Sequence, residues 1–206
     1  APPRHLHTSI TAMTHEHITG LILAGGLGSR MGGQDKGLVE LAGQPMVKHV
    51  LDRLAPQVHQ LMINANRNAA AYAAFSPWVV PDRLAGFVGP LAGLDAALHD
   101  PALEGDWVLT CPCDSPFLPL DLAPRLLTAA RAANAQVAMV SVDGQPEPAF
   151  LLAHRGVAPS LAAFLEGGGR QIRRWVGETP HVVVDFSDCA GAFCNINTPE
   201  ELARQA

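Results

Sequence analysis

The feature that most constrains this chain is a glycine-rich segment that directly follows a short apolar run. The run, Leu21-Ile22-Leu23, has the length of a buried β-strand. Glycines let backbone N–H groups approach an anion closely, and Arg or Lys side chains add full positive charges. The sequence therefore predicts a phosphate-binding loop after the first strand, formed by Gly25, Gly26, Gly28, Gly32, Gly33 and Gly37 together with Arg30 and Lys36.

Two familiar phosphate motifs do not fit this loop. A dinucleotide fingerprint beginning at Gly26 would need a glycine at the position of Met31. A P-loop would need glycine before Lys36 and serine or threonine after it, but the neighbours are Asp35 and Gly37. A flexible surface loop with incidental cations is the remaining alternative, and the ordered set of strand, glycines and cations disfavours it.

The stretch LAGGLGSRMGGQDKGL, residues 23–38, resembles the signature loop of the nucleotidyltransferases with a glycosyltransferase-A-like fold. These enzymes join a nucleoside triphosphate to a phosphorylated acceptor. The GG-x-DKGL ending is most similar to the molybdenum cofactor guanylyltransferases. The resemblance implies a three-layer α/β/α, Rossmann-like fold with a mostly parallel central sheet, and Mg²⁺ as cofactor. It also implies a nucleotide site that includes Leu23, Ala24, Gly25, Gly26 and Lys36.

Length and charge narrow the class of protein. With 206 residues, 48% of them apolar, the chain can bury one full core, and we expect a single domain over residues 18–206. The net charge of −5 argues against a broad surface for nucleic acid, so an anion site must be a local pocket. The sequence shows no membrane-spanning run and no secretory signal, which predicts a cytoplasmic protein without a membrane partner.

Residues 1–17 lack the apolar spacing of a helix or strand and contain His5, His7, His15 and His17. A metal-binding tract is one interpretation, but a disordered N-terminal extension fits this composition better. The resemblance begins only after these residues, so it assigns them no role.

The chain contains four cysteines, Cys111, Cys113, Cys189 and Cys194. Their spacing is poor for a zinc site, which favours C-x-x-C pairs. A chain of this size does not depend on disulfides, so we expect reduced, mostly buried thiols.

Polar side chains follow two predicted strands, and parallel sheets bind ligands at the carboxyl ends of their strands. A helix over 45–57 leads to a strand over 61–63, after which come Asn64 and Asn66. The asparagines would serve equally well as turn residues, but the resemblance assigns Asn64 to the nucleotide.

Asp82 follows the next predicted strand, over residues 78–80. A guanine base presents an N1–H and an exocyclic amine, and a carboxylate can accept hydrogen bonds from both. A loop aspartate or a helix cap explains Asp82 equally well from the sequence, and the resemblance selects the nucleotide role. The GPLAG segment at 89–93 then starts a helix that reaches about His99. The free N–H groups at the start of this helix would face a ligand.

Asp114 lies between two prolines in CPCDSP, directly after a predicted strand over 107–111. Such a stiff turn holds the carboxylate in few conformations. Mg²⁺ takes one or two carboxylates together with phosphate oxygens and waters. A turn or capping aspartate is equally consistent with this segment alone, and the resemblance assigns Asp114 to the metal.

The second half of the chain is predicted to hold the acceptor. We expect a helix over 121–133, a strand over 136–142, a break over 144–148, and strands over 149–152 and 181–186. Thr198 and Glu201 form a capping box for a last helix. The resemblance gives Asn195 and Asn197, just before that helix, a supporting role on the acceptor side.

The resemblance implies transfer of GMP from GTP to the phosphate of Mo-molybdopterin, with release of pyrophosphate. Lys36 and Arg30 would stabilise the charge on the phosphates, and Asp114 would hold the metal. Molybdenum-insertion proteins and molybdoenzyme chaperones are the expected partners. A nucleotidyltransferase for another base and acceptor, and a nucleotide-binding module without turnover, remain as alternatives.

Overall fold

The computed structural model of the protein describes residues 18–25, 30–31, 33–86, 89–196 and 198–205. The predicted extension over 1–17 lies outside the described residues, as do Gly26 and Asn197. Only the backbone of Arg30 is described.

Helices connect most of the longer described strands, as expected for an α/β protein. The strands are β1 (Ile18–Leu23), β2 (Arg30–Met31), β3 (Gln34–Asp35), β4 (Glu40–Leu41), β5 (Gln44–Pro45), β6 (Gln60–Asn64), β7 (Val79–Val80), β8 (Trp107–Pro112), β9 (Val137–Val142), β10 (Gln145–His154) and β11 (His181–Asp185). The helices are α1 (Met46–Leu54), α2 (Ala69–Tyr72), α3 (Pro90–His99), α4 (Leu122–Ala132), α5 (Ala158–Glu166), α6 (Ile172–Gly177) and α7 (Pro199–Gln205).

Among the described residues, the central sheet has seven strands in the order β11-β9-β10-β8-β1-β6-β7. Its strands pair in parallel, except that β10 is antiparallel to both neighbours. Short hairpins β2–β3 and β4–β5 lie outside it. The predicted fold class, with a mostly parallel sheet, is confirmed. Across the described ranges, no helix is both long enough and apolar enough to span a lipid bilayer.

Two apolar clusters cover the two faces of the sheet and give the protein its three layers. Alternate residues of a strand point to opposite faces. Thus Ile22 packs with α1 and α4 on one face, whereas its neighbour Leu21 packs with α3, α5 and α6 on the other. Both residues are fully buried. The packing on each face therefore fixes the register of β1, and with it the position of the loop that follows.

The carboxyl ends of three adjacent strands meet at one edge of the sheet. In the parallel register, Leu23 at the end of β1 lies opposite Asn64 of β6 and Pro112 of β8. Backbone bonds continue past the strands, from Ala24 N to Asn64 O (2.8 Å) and from Cys113 N to Leu23 O (3.1 Å). The loops that follow these strands therefore begin side by side.

The predicted break over 144–148 is wrong, because these residues continue a β-hairpin. Asp143 and Gly144 both have positive φ, 50° and 76°, and form a tight turn between β9 and β10. The register shifts between Glu147 and Leu151, and β8 pairs with β10 only from Leu151 onward in the described structure. Prolines are tolerated before that point because a strand with one uncovered side does not need every N–H.

The C-terminal segment packs against the far end of the glycine-rich loop. Ile196 forms a small apolar cluster with Val39, Leu41 and Met46. The predicted capping box is confirmed: Glu201 N donates to Thr198 Oγ1, and Thr198 N donates to Glu201 Oε2, both at 3.1 Å. The segment around Asn195 is therefore fixed beside the first loop.

The hairpin turn gives a stability prediction. An added Cβ at Gly144 or at Gly177 would meet nothing within 4 Å, but only Gly144 has a positive φ. We expect Gly144→Ala to lower the free energy of unfolding by about 1–2 kcal/mol, the cost of a left-handed backbone for an L-residue. Gly177→Ala is the matched control and should not destabilise the protein. Urea denaturation measures both, and equal stabilities for the two variants would contradict the assignment of the turn.

Candidate active site

A cleft of about 570 Å³, including its open mouth, lies at the carboxyl edge of the sheet. Each of the three central strands contributes to it through its end or the loop that follows. The walls are formed by Leu23, Gly25, Lys36, Asn64, Gly89, Pro90, Pro112, Cys113, Asp114 and Ala149. Parallel α/β sheets bind ligands in this position.

Lys36 and Asp114 face each other across this cleft. Lys36 Nζ donates to Asp114 Oδ2 at 3.3 Å, and the side chains are 11% and 12% exposed. The pair joins the glycine-rich loop to the loop after β8. The pair thus consists of one cation and one carboxylate on a mostly apolar wall of the cleft, where water screens their charges only weakly.

Lys36 is held in place by its two neighbours in the sequence. Asp35 accepts hydrogen bonds from the Tyr72 hydroxyl (2.6 Å) and from Gly37 N (3.4 Å), the second of which caps the 3₁₀ turn Lys36–Leu38. A Cβ on Gly37 would lie 2.5 Å from the Tyr72 hydroxyl, so only glycine fits there. Burial, together with the bond to Asp35, raises the pKa of Tyr72, which stays a neutral donor. The Asp-Lys-Gly sequence thus aims the lysine into the cleft.

A second polar network surrounds Asp82. The Nδ2 of Asn64 donates to Asp82 Oδ1 (2.9 Å), and that of Asn66 donates to Asp82 Oδ2 (3.1 Å). Asn66 Oδ1 in turn accepts from Asp82 N at 2.8 Å. A carboxylate has about four lone-pair sites, so two amide donors can orient it while it accepts further hydrogen bonds.

Asn64 also packs against two glycine backbones. A Cβ at Gly25 or at Gly93 would lie 2.7 Å from Asn64 Oδ1. Larger residues would displace this side chain, which is 3% exposed and anchored to Val80 O at 3.0 Å. The glycines after β1 and in the GPLAG helix therefore allow both segments to approach the end of β6.

The loop with Asp114 is tied to the C-terminal segment. Ile196 N donates to Asp114 O at 3.0 Å, and Ser115 Oγ donates to Asn195 Oδ1. Asn195 therefore lies next to the loop of Asp114, the predicted metal ligand. Its partner Asn197 lies outside the described residues.

Three further residues, Arg30, Arg173 and Cys113, contribute in other ways. The backbone of Arg30 pairs with Asp35 in the β2–β3 hairpin. Arg173 lines a separate cavity with Pro148, Gln171 and Ile172. The buried Cys113 has its pKa raised by burial, so the thiol that lines the cleft stays protonated and is not a nucleophile.

Sequence reasoning missed the supporting residues Asp35 and Tyr72, whereas Asn66 was named together with Asn64. Asp35 directly precedes Lys36, so its position carried a signal. Tyr72 had none, because its partner Asp35 is 37 residues away in the chain. Contacts of this kind become visible only when the fold brings α2 next to the glycine-rich loop.

The donor set limits the kind of metal that this cleft can hold. Within the described part of the chain, no three His, Cys, Asp or Glu side chains are grouped to hold a metal ion by themselves. Asp114 supplies one carboxylate beside a cleft. This fits Mg²⁺, which is commonly bound by one or two carboxylates plus the phosphates of a substrate. It does not fit a structural zinc site.

Known structures share this architecture. The crystal structure of molybdopterin-guanine dinucleotide biosynthesis protein A from Archaeoglobus fulgidus superimposes with a TM-score of 0.72, covering 91% of this chain and 96% of that one. At 24% sequence identity, this likeness concerns the fold.

Bacterial relatives are closer in sequence. The molybdenum cofactor guanylyltransferase of Shewanella putrefaciens is 49% identical over 90% of this chain and 94% of that protein. The protein of the same name from Cupriavidus pinatubonensis is 51% identical over 92% and 96%. Residues 20–182 match the family described as the MobA-like NTP transferase domain. The resemblance seen in the glycine-rich loop is thereby confirmed, and since the match spans most of the sequence, this chain belongs to the MobA-like NTP transferase family.

Proposed function

We propose that the protein transfers GMP from GTP to the terminal phosphate of Mo-molybdopterin, forming molybdopterin guanine dinucleotide and releasing pyrophosphate. The observation that carries this proposal is the Lys36–Asp114 pair, in which a cation and a carboxylate suited to Mg²⁺ lie together at the carboxyl edge of the sheet. Relatives named molybdenum cofactor guanylyltransferase at about half identity supply the acceptor and the base. They disfavour another acceptor and a module without turnover.

The reaction needs no covalent intermediate on the protein. An oxygen of the acceptor phosphate forms a bond to the α-phosphorus of GTP, and the bond from that phosphorus to the bridging oxygen breaks. Pyrophosphate leaves with the electron pair. Catalysis then consists mainly of positioning and of neutralising charge.

Lys36 supplies fixed positive charge to the triphosphate. Its ammonium leaves Asp114 for the phosphate oxygens when nucleotide binds, while the Asp35–Tyr72 contact keeps the 3₁₀ turn in place. The proposal also assigns to the triphosphate the backbone amides of Gly25 and Gly26 and the charge of Arg30, as the sequence predicts. Lys36 thus stabilises charge that grows on the leaving group.

Asp114 is the residue that holds Mg²⁺ in this proposal. A divalent cation held there would supply positive charge to the phosphate groups of the substrate. The backbone bond from Ile196 to Asp114 and the conformational restriction by the two nearby prolines hold the Asp114 loop in position for this role.

Guanine recognition is assigned to Asp82. Its carboxylate accepts from N1–H and from the exocyclic amine, a pattern that adenine, cytosine and uracil do not present. Asn64 and Asn66 orient the carboxylate by donating to one oxygen each. Asn64 thus acts on the base through Asp82, in addition to lining the cleft.

The acceptor approaches from the C-terminal half. Asn195, bonded to Ser115, and Ala149 of β10 lie on that side of the cleft. The second cavity, lined in part by Pro148 and Arg173, would give room and positive charge for an anionic acceptor. Molybdenum-insertion proteins and molybdoenzyme chaperones would exchange substrate and product with this side.

Reduced thiols at Cys111 and Cys113 suit the cytoplasm.

A nucleotide panel tests the proposed base. We expect GTP with Mg²⁺ to raise the melting temperature more than ATP, CTP or UTP at equal concentration, because the tightest ligand stabilises most. Only GTP should release pyrophosphate when Mo-molybdopterin is present. Preference for CTP, or pyrophosphate release from every nucleotide, would contradict the assignment to guanine.

Lys36→Ala should lower turnover by about 10²–10³-fold, the usual effect of removing one preorganised charge contact. Circular dichroism shows whether the variant keeps its fold. The control is Lys48→Ala, which removes a lysine paired with Asp52 on the exposed side of α1. We expect the control to keep its turnover within about twofold, because exposed ion pairs contribute little. Near wild-type turnover in folded Lys36→Ala would exclude the phosphate role.

Removal of Mg²⁺ with EDTA should stop pyrophosphate release, and added Mg²⁺ should restore it. Asp114→Asn keeps the shape of the side chain but loses its charge, so half-maximal activity should need at least about tenfold more Mg²⁺. Asp52→Asn, on the exposed face of α1, is the matched control. A Mg²⁺ titration that is the same for Asp114→Asn and wild type would show that the metal binds elsewhere.

A further inference from the structure

An ion pair between the half-exposed Arg83 and the buried Asp95 holds the segment that carries Asp82. Arg83, the next residue, donates from Nε to Asp95 Oδ2 (3.1 Å) and from Nη2 to Asp95 Oδ1 (3.0 Å). The Asp95 side chain is 0% exposed on α3, whereas the Arg83 side chain is 36% exposed. The segment after β7 is thereby attached to the helix that begins at Pro90.

The position of Asp95 is unusual for a carboxylate. Residues 91–98 of α3 are all buried, and those around Asp95 are small or apolar. A buried charge is costly unless it is paired and hydrogen-bonded. Besides Arg83, His99 Nδ1 lies 3.3 Å from Asp95 Oδ1 and 2.8 Å from Asp95 O. An apolar residue would fill this site at lower cost, so the carboxylate must serve something other than packing.

Helix α3 contacts the Asp82 network at a second point. Gly93 packs directly on Asn64, since a Cβ there would lie 2.7 Å from Asn64 Oδ1. Asn64 donates to Asp82 Oδ1 at 2.9 Å. The same helix therefore supports Asp82 through Asn64 on one side and through Arg83 on the other.

We propose that Arg83 and Asp95 are positioning residues for guanine recognition: the pair fixes the orientation of the Asp82 carboxylate toward the N1–H and exocyclic amine of the base. The inference rests on the proposed function, because it requires that guanine is the base bound at Asp82. A guanidinium with two parallel hydrogen bonds resists rotation, whereas an ammonium with one does not. The geometry of the pair, beyond its charge, therefore sets the selectivity of the neighbouring carboxylate.

A pair that only stabilised the fold would behave differently. Its loss would lower the melting temperature and leave the preference for guanine unchanged. Inosine triphosphate separates the two roles, because its base keeps the N1–H but lacks the exocyclic amine. Correct orientation of Asp82 favours GTP over ITP, and a rotating carboxylate loses that difference.

The test compares dissociation constants for GTP and ITP, with Mg²⁺, in wild type and three variants. Arg83→Lys keeps the charge that neutralises Asp95 but loses the two-point contact. Asp95→Asn keeps the shape and loses the charge. The double variant Arg83→Met with Asp95→Leu removes both partners, which avoids an unpaired buried charge and protects the fold. Asp52→Asn, in the exposed pair with Lys48, is the control.

We expect the ratio of GTP to ITP affinity to fall about tenfold in all three variants, the scale of one hydrogen bond to a charged group. In pyrophosphate release, KM for GTP should rise while kcat stays within about twofold, since binding of the base is weakened equally in the ground state and in the transition state. The control should keep the wild-type ratio.

The outcomes separate this inference from the proposed function. If wild type binds GTP no better than ATP, guanine recognition itself fails and the inference falls with it. If wild type prefers GTP to ITP and the double variant, still folded, keeps the same preference, the proposed function stands and the positioning role is excluded.

Discussion

The contact between Lys36 and Asp114 is the constraint on which the site depends, because it joins two loops that are 78 residues apart in the chain. Only a parallel arrangement of β1 and β8 with matched ends brings these loops together. The Asp35–Tyr72 bond fixes one partner, and the backbone bond from Ile196 to Asp114 fixes the other. The register of the sheet, the hydrogen bonds of the loops and the packing of the C-terminal segment therefore all maintain the distance between Lys36 Nζ and Asp114 Oδ2. A change in any of them would separate the two charges.

Much of the fold and of the cleft could be predicted from local patterns. Apolar runs marked the buried strands, and the residues after them, such as Asn64, Asp82 and Asp114, lie at the predicted edge because parallel strands end together. The β9–β10 hairpin was missed although Asp143-Gly144 is a strong turn signal, because the prolines after it suggested a break. Tyr72 and Asp95 could not be found from local sequence, since each acquires its meaning from a partner on another element.

The polar residues around the cleft form two separate groups, to which the proposed function assigns different parts of a nucleotide. Asp35 and Tyr72 support Lys36, the residue proposed for the phosphates, whereas Asn64 and Asn66 support Asp82, the residue proposed for the base. Glycines at 25, 37 and 93 allow each group to pack without side chains in between. Membership in the family accounts for the sequence of the glycine-rich loop. The short distances that a Cβ would have at Gly25 and Gly37 explain why glycine occurs at these positions. Phosphate chemistry and base selectivity can consequently be altered independently.

The prolines of β10 have a consequence for the mouth of the cleft. Pro146 pairs with β9, and Pro148 lies in the register shift that follows, just before Ala149, which lines the cleft. An extended strand with an uncovered side invites another polypeptide to add to the sheet, and residues without an N–H discourage this. The prolines thus protect the mouth of the cleft against an added peptide strand, so that self-association at this edge is disfavoured while the neighbouring opening stays accessible.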